Sequence, residues 1–537
     1  NEAIYNSNPY TGVPAYSQEQ LDSYKNGAQG TDWWDSLVRN NAPQSSHNVS
    51  IYGGNDKVKY YNSVGYVDQG GILRSDDWNF KRYNLRSNID LNVTPNFTVG
   101  FKLTGRLQDR EKPYGGDDLF TQAQMAIPIY SIYANNNPSY WQAIGNMANP
   151  IHSSYIENSG YESRLRREFN GSLDLNWKLP WIAGLSLRAM VAYDYKNSEW
   201  KTWQKALSDY QYNQTNEHYT EVALRKKASL ESKMENLYMP TQQYSINYNR
   251  VFGQKHDVSG LLLWEAYHDR LTDILGFRES SIGIIDDISK GDTENQNTSG
   301  KSVETAHAGL VGRFNYAYDR RYLLELNFRY DGSYKFQRDR RWGFFPGVSA
   351  GWRISEEKFF KENFAHFDNV KIRGSYAKVG DEGDFSAFQY LDGYVYGGSY
   401  VLGTGGLSSG LRSSGMANPW LTWYESNIMN LGFEASFKNG LINTEFDWFR
   451  RERSGLPATR QGTFPTTFGE SMPQENLNSD INTGFEWTVG HKNKIGDFAY
   501  NISGNFSVTR IRYGYVERAA STNMYCLLYT SPSPRDA

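Results

Sequence analysis

The chain has 537 residues, a net charge of −3 and one cysteine, with a pI near 6.3 and a mean hydropathy of −0.69. Nothing in this balance points to nucleic acid, and the lone Cys526 rules out a disulfide framework and a cysteine zinc site alike. No run approaches the roughly 18 apolar residues of a membrane helix, which excludes a helical membrane protein but not a barrel, where only alternate residues must be apolar.

In chain order, the opening Asn1-Glu2-Ala3-Ile4-Tyr5 has no basic start, apolar core or initiator Met, so it lacks the signal an exported protein needs and reads as truncated. Residues 1–46 are expected to form an outer loop region, and 47–515 a single sheet, because no Pro- or Ser-rich linker divides the chain. Sixteen strands are predicted, near 47–53, 58–67, 80–93, 97–110, 165–179, 184–197, 236–251, 256–270, 303–318, 322–334, 344–355, 368–379, 424–438, 441–453, 478–491 and 496–511. The hairpin around Thr94-Pro95-Asn96 carries the clearest pattern. Tyr83, Leu85, Ile89, Leu91 and Val93 alternate with Arg82, Asn84, Arg86, Asn88, Asp90 and Asn92, and Phe97, Val99, Phe101, Leu103 and Leu107 alternate with polar residues in the return strand.

The connections alternate too. Tight turns at 53–56, 94–96, 180–184, 253–255, 319–320, 438–440 and 495–497 are interleaved with long links at about 68–79, 111–164, 198–235, 271–302, 380–423 and 454–477. An up-and-down outer-membrane barrel has this form, with short turns on one side and long loops on the other, whereas compact soluble domains seldom carry structureless loops beyond about 15 residues. Aromatics are 15% of the chain, with 40 Tyr, and Tyr193, Tyr195, Tyr316, Tyr318, Tyr322, Tyr330, Trp448 and Phe449 suit interfacial girdles. The expected fold is therefore an all-β, antiparallel, up-and-down transmembrane barrel. Beyond about Thr522 the alternation stops, and the tail, 516–537, is read as adapter sequence or a disordered terminus.

Catalytic and metal signatures are missing. The eight His residues show no His-Glu-x-x-His spacing, there is no nucleophile elbow or P-loop, and the chain is not read as an enzyme. The paired acids Asp76-Asp77, Asp117-Asp118 and Asp286-Asp287 are read as solvated loop charges. Asp381, Glu382 and Asp384 around Gly383 could hold calcium but lack ordered ligand spacing. Loop aromatics at the rim, Tyr114, Tyr140, Trp141, Tyr390, Tyr396 and Trp420, are the candidate substrate-binding residues, able to stack on sugar faces or grip peptide side chains. A secreted or periplasmic β-rich protein that binds or degrades glycans is the alternative, and a passive porin a third reading; the 40–50-residue repeats of a propeller are not seen.

Several segments resemble one family. Thr31-Asp32-Trp33-Trp34-Asp35, Ala42-Pro43-Gln44, Gly53-Gly54-Asn55-Asp56 and Val64 to Gly71 match its early barrel, Arg329-Tyr330-Asp331-Gly332-Ser333 and Gly351-Trp352-Arg353-Ile354-Ser355 its centre, and Asn418-Pro419-Trp420 to Arg450 its next block. The chain thereby resembles the SusC/RagA-type TonB-dependent transporters of Bacteroidetes outer membranes. The resemblance implies a 22-stranded barrel, of which about 16 strands are expected here and the plug, the first strand and the last five strands are not. An open sheet would follow. It further implies a SusD-like surface lipoprotein, coupling to TonB through the N-terminal region, outer-membrane lipid around the barrel, and a glycan or peptide as ligand. Gln337 and Gly380-Asp381 depart from the family pattern locally.

Overall fold

The computed structural model describes residues 18–26, 30–145, 147–401, 403, 406–461, 467 and 469–518. Most of the tail and Cys526 lie outside these residues. Among the described residues twenty strands occur: β1 (Gln44–Gly54), β2 (Val58–Gly70), β3 (Asn79–Thr94), β4 (Phe97–Pro113), β5 (Gly160–Lys178), β6 (Leu185–Gln204), β7 (Leu207–Asn213), β8 (His218–Arg225), β9 (Ala228–Phe252) and β10 (His256–Ser280). There follow β11 (Gln296–Tyr318), β12 (Tyr322–Ser333), β13 (Trp342–Arg353), β14 (Phe367–Asp381), β15 (Tyr394–Val401), β16 (Leu407–Ser413), β17 (Tyr424–Phe437), β18 (Ile442–Thr459), β19 (Gln474–Ile495) and β20 (Phe498–Tyr515).

Sixteen of them form one sheet in sequence order, β1 to β6, β9 to β14 and β17 to β20. Each predicted strand has its counterpart there. Every pairing is antiparallel between consecutive sheet members, and β1 and β20 are the two free edges, so the sheet is an open barrel wall.

One face is apolar across the whole wall because the registers bring the alternating apolar positions into line. From Tyr83 the row passes to Leu107; farther round, Tyr244 lies opposite Trp264, Phe314 opposite Leu326, Leu326 opposite Val348, Phe433 opposite Phe446, and Trp487 opposite Phe506. These side chains are exposed rather than sealed against a second layer: Leu326 retains 45% and Leu85 55% of its surface. Among the described residues no stacked sheet covers them, so the apolar face has the character of a lipid contact. On β12 the outward residues read Tyr322, Leu324, Leu326, Phe328, Tyr330. The two tyrosines are about 26 Å apart along the strand at the usual rise, which suits an apolar band of roughly 25 Å edged by aromatics.

Girdle pairs line both borders. Near the short turns, Trp177 meets Trp181 at 5.6 Å, Tyr318 meets Tyr322 at 6.3 Å, and Tyr322 meets Trp352 at 6.5 Å. Toward the loops, Tyr195 pairs with Tyr238 at 5.1 Å and Tyr330 with Trp342 at 5.0 Å. Two expected girdle residues fall elsewhere. Trp448 sits mid-strand opposite Leu431 and Phe485, and Phe449, one residue on, belongs to the polar face opposite Asn430 and Gly484.

The short turns close tightly through left-handed residues: Asp319 and Arg320 both have positive φ, as do Lys438, Asn439 and Gly440. Two of the long links are not structureless, as the sequence suggested. Residues 207–225 fold into the β7–β8 hairpin and 394–413 into β15–β16, each a separate two-stranded sheet.

Candidate functional site

The other face of the wall is polar and laced by charge pairs within a strand, between adjacent strands and across one intervening strand. Arg329 reaches Glu265 at 3.0 Å and Asp331 at 2.8 Å; Arg373 reaches Glu445 at 2.7 Å and Asp447 at 2.6 Å; Lys371 meets Glu434 at 3.2 Å. Such pairs beside an aqueous conduit contribute little net stability each, but they hold charge at fixed positions along the lumen. A recess of about 450 Å³ near the turn side is lined by Asp257, Ser259, Glu325, Ser349, Lys371 and Arg373. A second, about 230 Å³, lies toward the loops and is lined by Glu265, Tyr267, His307, Arg329, Glu382 and Trp423.

In the second recess Tyr267 stacks on His307 with ring centres 4.7 Å apart, and His307 Nε2 lies 3.3 Å from Glu382 Oε1. The carboxylates considered for calcium are turned to other partners. Asp381 accepts the Gly383 N–H at 2.8 Å and the Tyr424 hydroxyl, while Glu382 faces His307. Among the described residues no three acidic, His or Cys side chains converge in a metal-binding group.

Above the wall the long links pack into a folded outer layer. Trp33, Leu37, Leu73, Leu119, Ala123 and Ile151 form its apolar core. Its polar centre is Asn149, fully buried, whose N–H donates to Asp209 Oδ2 at 2.9 Å and whose side-chain amide donates to the Ile132 carbonyl at 2.9 Å. Asn149 Oδ1 caps the short helix Pro150–Ser153 by accepting the Ile151 N–H at 3.1 Å. His152 Nδ1 lies 2.7 Å from Asp209 Oδ1, which joins the β7–β8 hairpin to the 114–159 link. Two smaller cores complete the layer, Phe336 with Phe385, Leu421 and Tyr424, and Trp203 with Ala228 and Leu230.

The paired acids are part of this architecture and not merely solvated. Asp77 accepts the Ile156 N–H at 3.0 Å, and burial, more than its acidic neighbours Glu157 and Asp76, raises its carboxyl above the ordinary value. Asp117 pairs with Lys112. At Asp286 burial works to raise the carboxyl, but hydrogen bonds from Lys201, at 2.7 Å, and from Tyr161 outweigh it and hold the group below the ordinary value. Asp117 and Asp286 therefore pin a loop to the wall, and Asp77 pins one loop to another.

The six candidate aromatics occupy this layer without forming one cluster. Tyr114 is half-buried under the Arg225 guanidinium, 4.9 Å away. Tyr140 stacks on Tyr219 at 3.9 Å and meets Tyr210 edge-on at 5.0 Å, and Trp141 stacks on His152 at 4.8 Å. These two are brought together against β7–β8. The other three belong to the 382–423 link: Tyr390 packs near Phe388 at 6.2 Å, Tyr396 is 83% exposed on β15, and Trp420 is 67% exposed with Arg340 over its ring at 4.7 Å. Tyr210 and Tyr219 were not foreseen; the alternating Tyr210, Tyr212 and the facing Tyr219 are the signal that marks a small aromatic hairpin.

The profile of the family described as TonB dependent receptor-like, beta-barrel matches residues 126–531. TonB-dependent receptor P26 of Formosa agariphila is 27% identical over 479 residues, which cover 86% of this chain and 44% of that protein. TonB-dependent receptor SusC of Bacteroides thetaiotaomicron is 26% identical over 521 residues, 91% of this chain and 49% of the other. The solved RagAB peptide importer in its open-open state shares the fold, with a TM-score of 0.75 at 22% identity over 91% of this chain and 52% of that one. The chain spans about half the length of the curated relatives it matches.

Proposed function

We propose, from the premise that this chain belongs to the SusC/RagA group of TonB-dependent receptor β-barrels of the outer membrane, that it supplies the wall and outer mouth of an energy-coupled importer of oligomeric nutrients. The observation that carries the reading is the pairing of an unbroken lipid-type face with a charge-laddered polar face roofed by packed, aromatic loops. A passive pore needs only the first two. A roof rich in stacked Tyr and Trp supports capture of a solute before passage.

The cargo is a glycan oligomer or a peptide. The first follows from the resemblance to SusC-type transporters, and the second is favoured by the likeness to a RagAB importer whose cargo is peptide. The same family reading implies a SusD-like lipoprotein seated over the rim and a TonB contact elsewhere in the receptor. It also implies that no bond of the cargo is broken here, the family being one of receptors. The rim residues Tyr114, Tyr140, Trp141, Tyr390, Tyr396 and Trp420 would contribute cargo contacts, chiefly the two most exposed, Tyr396 and Trp420.

Uptake of fluorescent oligosaccharides and oligopeptides by cells carrying the full-length receptor tests the proposal. Accumulation should require the receptor and should stop when a protonophore collapses the inner-membrane gradient. Uptake that persists after collapse would overturn energy coupling in favour of a passive pore.

A further inference from the structure

On the polar face of β3 to β5, where the outward face ceases to be apolar at Asp109, Glu111 and Arg167, five arginines crowd together: Arg82, Arg106, Arg110, Arg164 and Arg166. Arg110 lies directly opposite Arg164 in the antiparallel register. Like charges in that relation, with Cβ atoms about 5 Å apart, destabilise a sheet unless something neutralises them. Among the described residues the neutralising groups are three carboxylates, with Glu235 acting on Arg164 beside the two that follow. Glu168 is shared by Arg106 at 3.1 Å and Arg166 at 2.6 Å, and Asp117 stands 3.9 Å from Arg110. Arg164 has the Trp200 ring 4.6 Å from its guanidinium carbon, and the buried Nε atoms of Arg82, Arg164 and Arg166 have no hydrogen-bond partner.

We infer that this cluster is a binding site for an anionic oligosaccharide, whose carboxylates or sulfates complete the guanidinium hydrogen bonds at the outer mouth of the conduit. Arginine forks match both oxyanions in bidentate geometry. An acidic peptide is the less suitable occupant. Extended, it presents same-side carboxylates about 6.7 Å apart in a single row, whereas these arginines form a two-dimensional patch over neighbouring strands with closer cross-strand spacing. The inference rests on the importer reading and narrows its cargo.

The test uses the full-length receptor in detergent, with folding of each variant checked by heat-modifiable electrophoretic mobility. Tri-galacturonate, maltotriose, tri-glutamate and sodium sulfate are titrated by calorimetry against the parent, the double variant Arg110→Gln/Arg164→Gln, and Lys102→Gln, a control lower on the same wall. Tri-galacturonate should bind the parent in a salt-sensitive manner and at least tenfold more weakly the double variant, with Lys102→Gln close to the parent. Affinity unchanged in the folded double variant, or equal affinity for maltotriose, overturns the site. Tighter binding of tri-glutamate assigns it to acidic peptides and overturns the glycan assignment. Sulfate bound without tri-galacturonate reduces it to a simple anion site. Receptor-dependent, protonophore-sensitive uptake confined to neutral oligomers would sink this inference while leaving the importer reading intact, whereas loss of all such uptake would sink the latter.

Discussion

At the scale of single residues, position 326 and its neighbours measure the wall most directly. Leu326 faces outward between Phe314 and Val348, and Asn327, between Arg313 and Gly347, faces the lumen. Leu326→Arg or Phe328→Arg should cost about 2–4 kcal/mol in equilibrium unfolding of the full-length receptor in bilayers, and Asn327→Arg far less. Equal penalties would mean that lipid does not touch the outward face. Asn149 is the corresponding point in the outer layer. Asn149→Ala removes a helix cap and leaves the Ile132 and Gln142 carbonyls short of donors, so the layer should lose about 2–4 kcal/mol, read as faster limited proteolysis within 114–159. The strand pattern foretold neither Asn149 nor Asp209. Their partners lie 17 and 60 residues away, and no periodicity encodes such a contact.

At the scale of elements, sixteen strands were legible because lipid and water impose opposite demands on successive residues. The same cause explains where the reading fell short. β9, β10 and β11 continue well past their predicted ends, to Ala228, Ser280 and Gln296, because beyond the band both faces meet water and the contrast fades, as in Arg270, Thr272, Ile274 on the outward side. The β7–β8 and β15–β16 hairpins were hidden for that reason too. Loop docking supplies a pH test. Asp286, whose carboxyl is held low in the folded protein, contributes stability that is present above the ordinary carboxylate range and lost as pH falls through its depressed value. Amide protection across 281–291, taken relative to the intrinsic exchange rate at each pH, should thus fall on acidification below about pH 4, ahead of the wall strands, and Asp286→Asn should remove that difference. Protection that is flat with pH would show that this carboxylate does not fasten the loop.

At the scale of the whole molecule, the two faces define an inside and an outside that labelling can read. With Cys526 replaced by Ser in the full-length receptor, Ser349→Cys should react with a water-soluble maleimide entering the lumen, and Val348→Cys, opposite Leu326 and Tyr376, should react only with a lipid-soluble one. Matching reactivity at the two positions would contradict a barrel wall. The candidate site is less legible than the wall at this scale. The rim aromatics could be picked from composition, but their distribution between the 114–159 and 382–423 links, and the arginine patch beneath, arise only once registers set β3, β4 and β5 side by side.

Because, among the described residues, each inner member of the large sheet hydrogen-bonds only to the members just before and just after it, those strands find both partners in the adjoining stretches of polypeptide. Such a wall can be laid down plank by plank along the chain, with each tight turn delivering the next plank in register. The outer loops can meanwhile lengthen, shorten or acquire hairpins of their own without disturbing what has already been set in place.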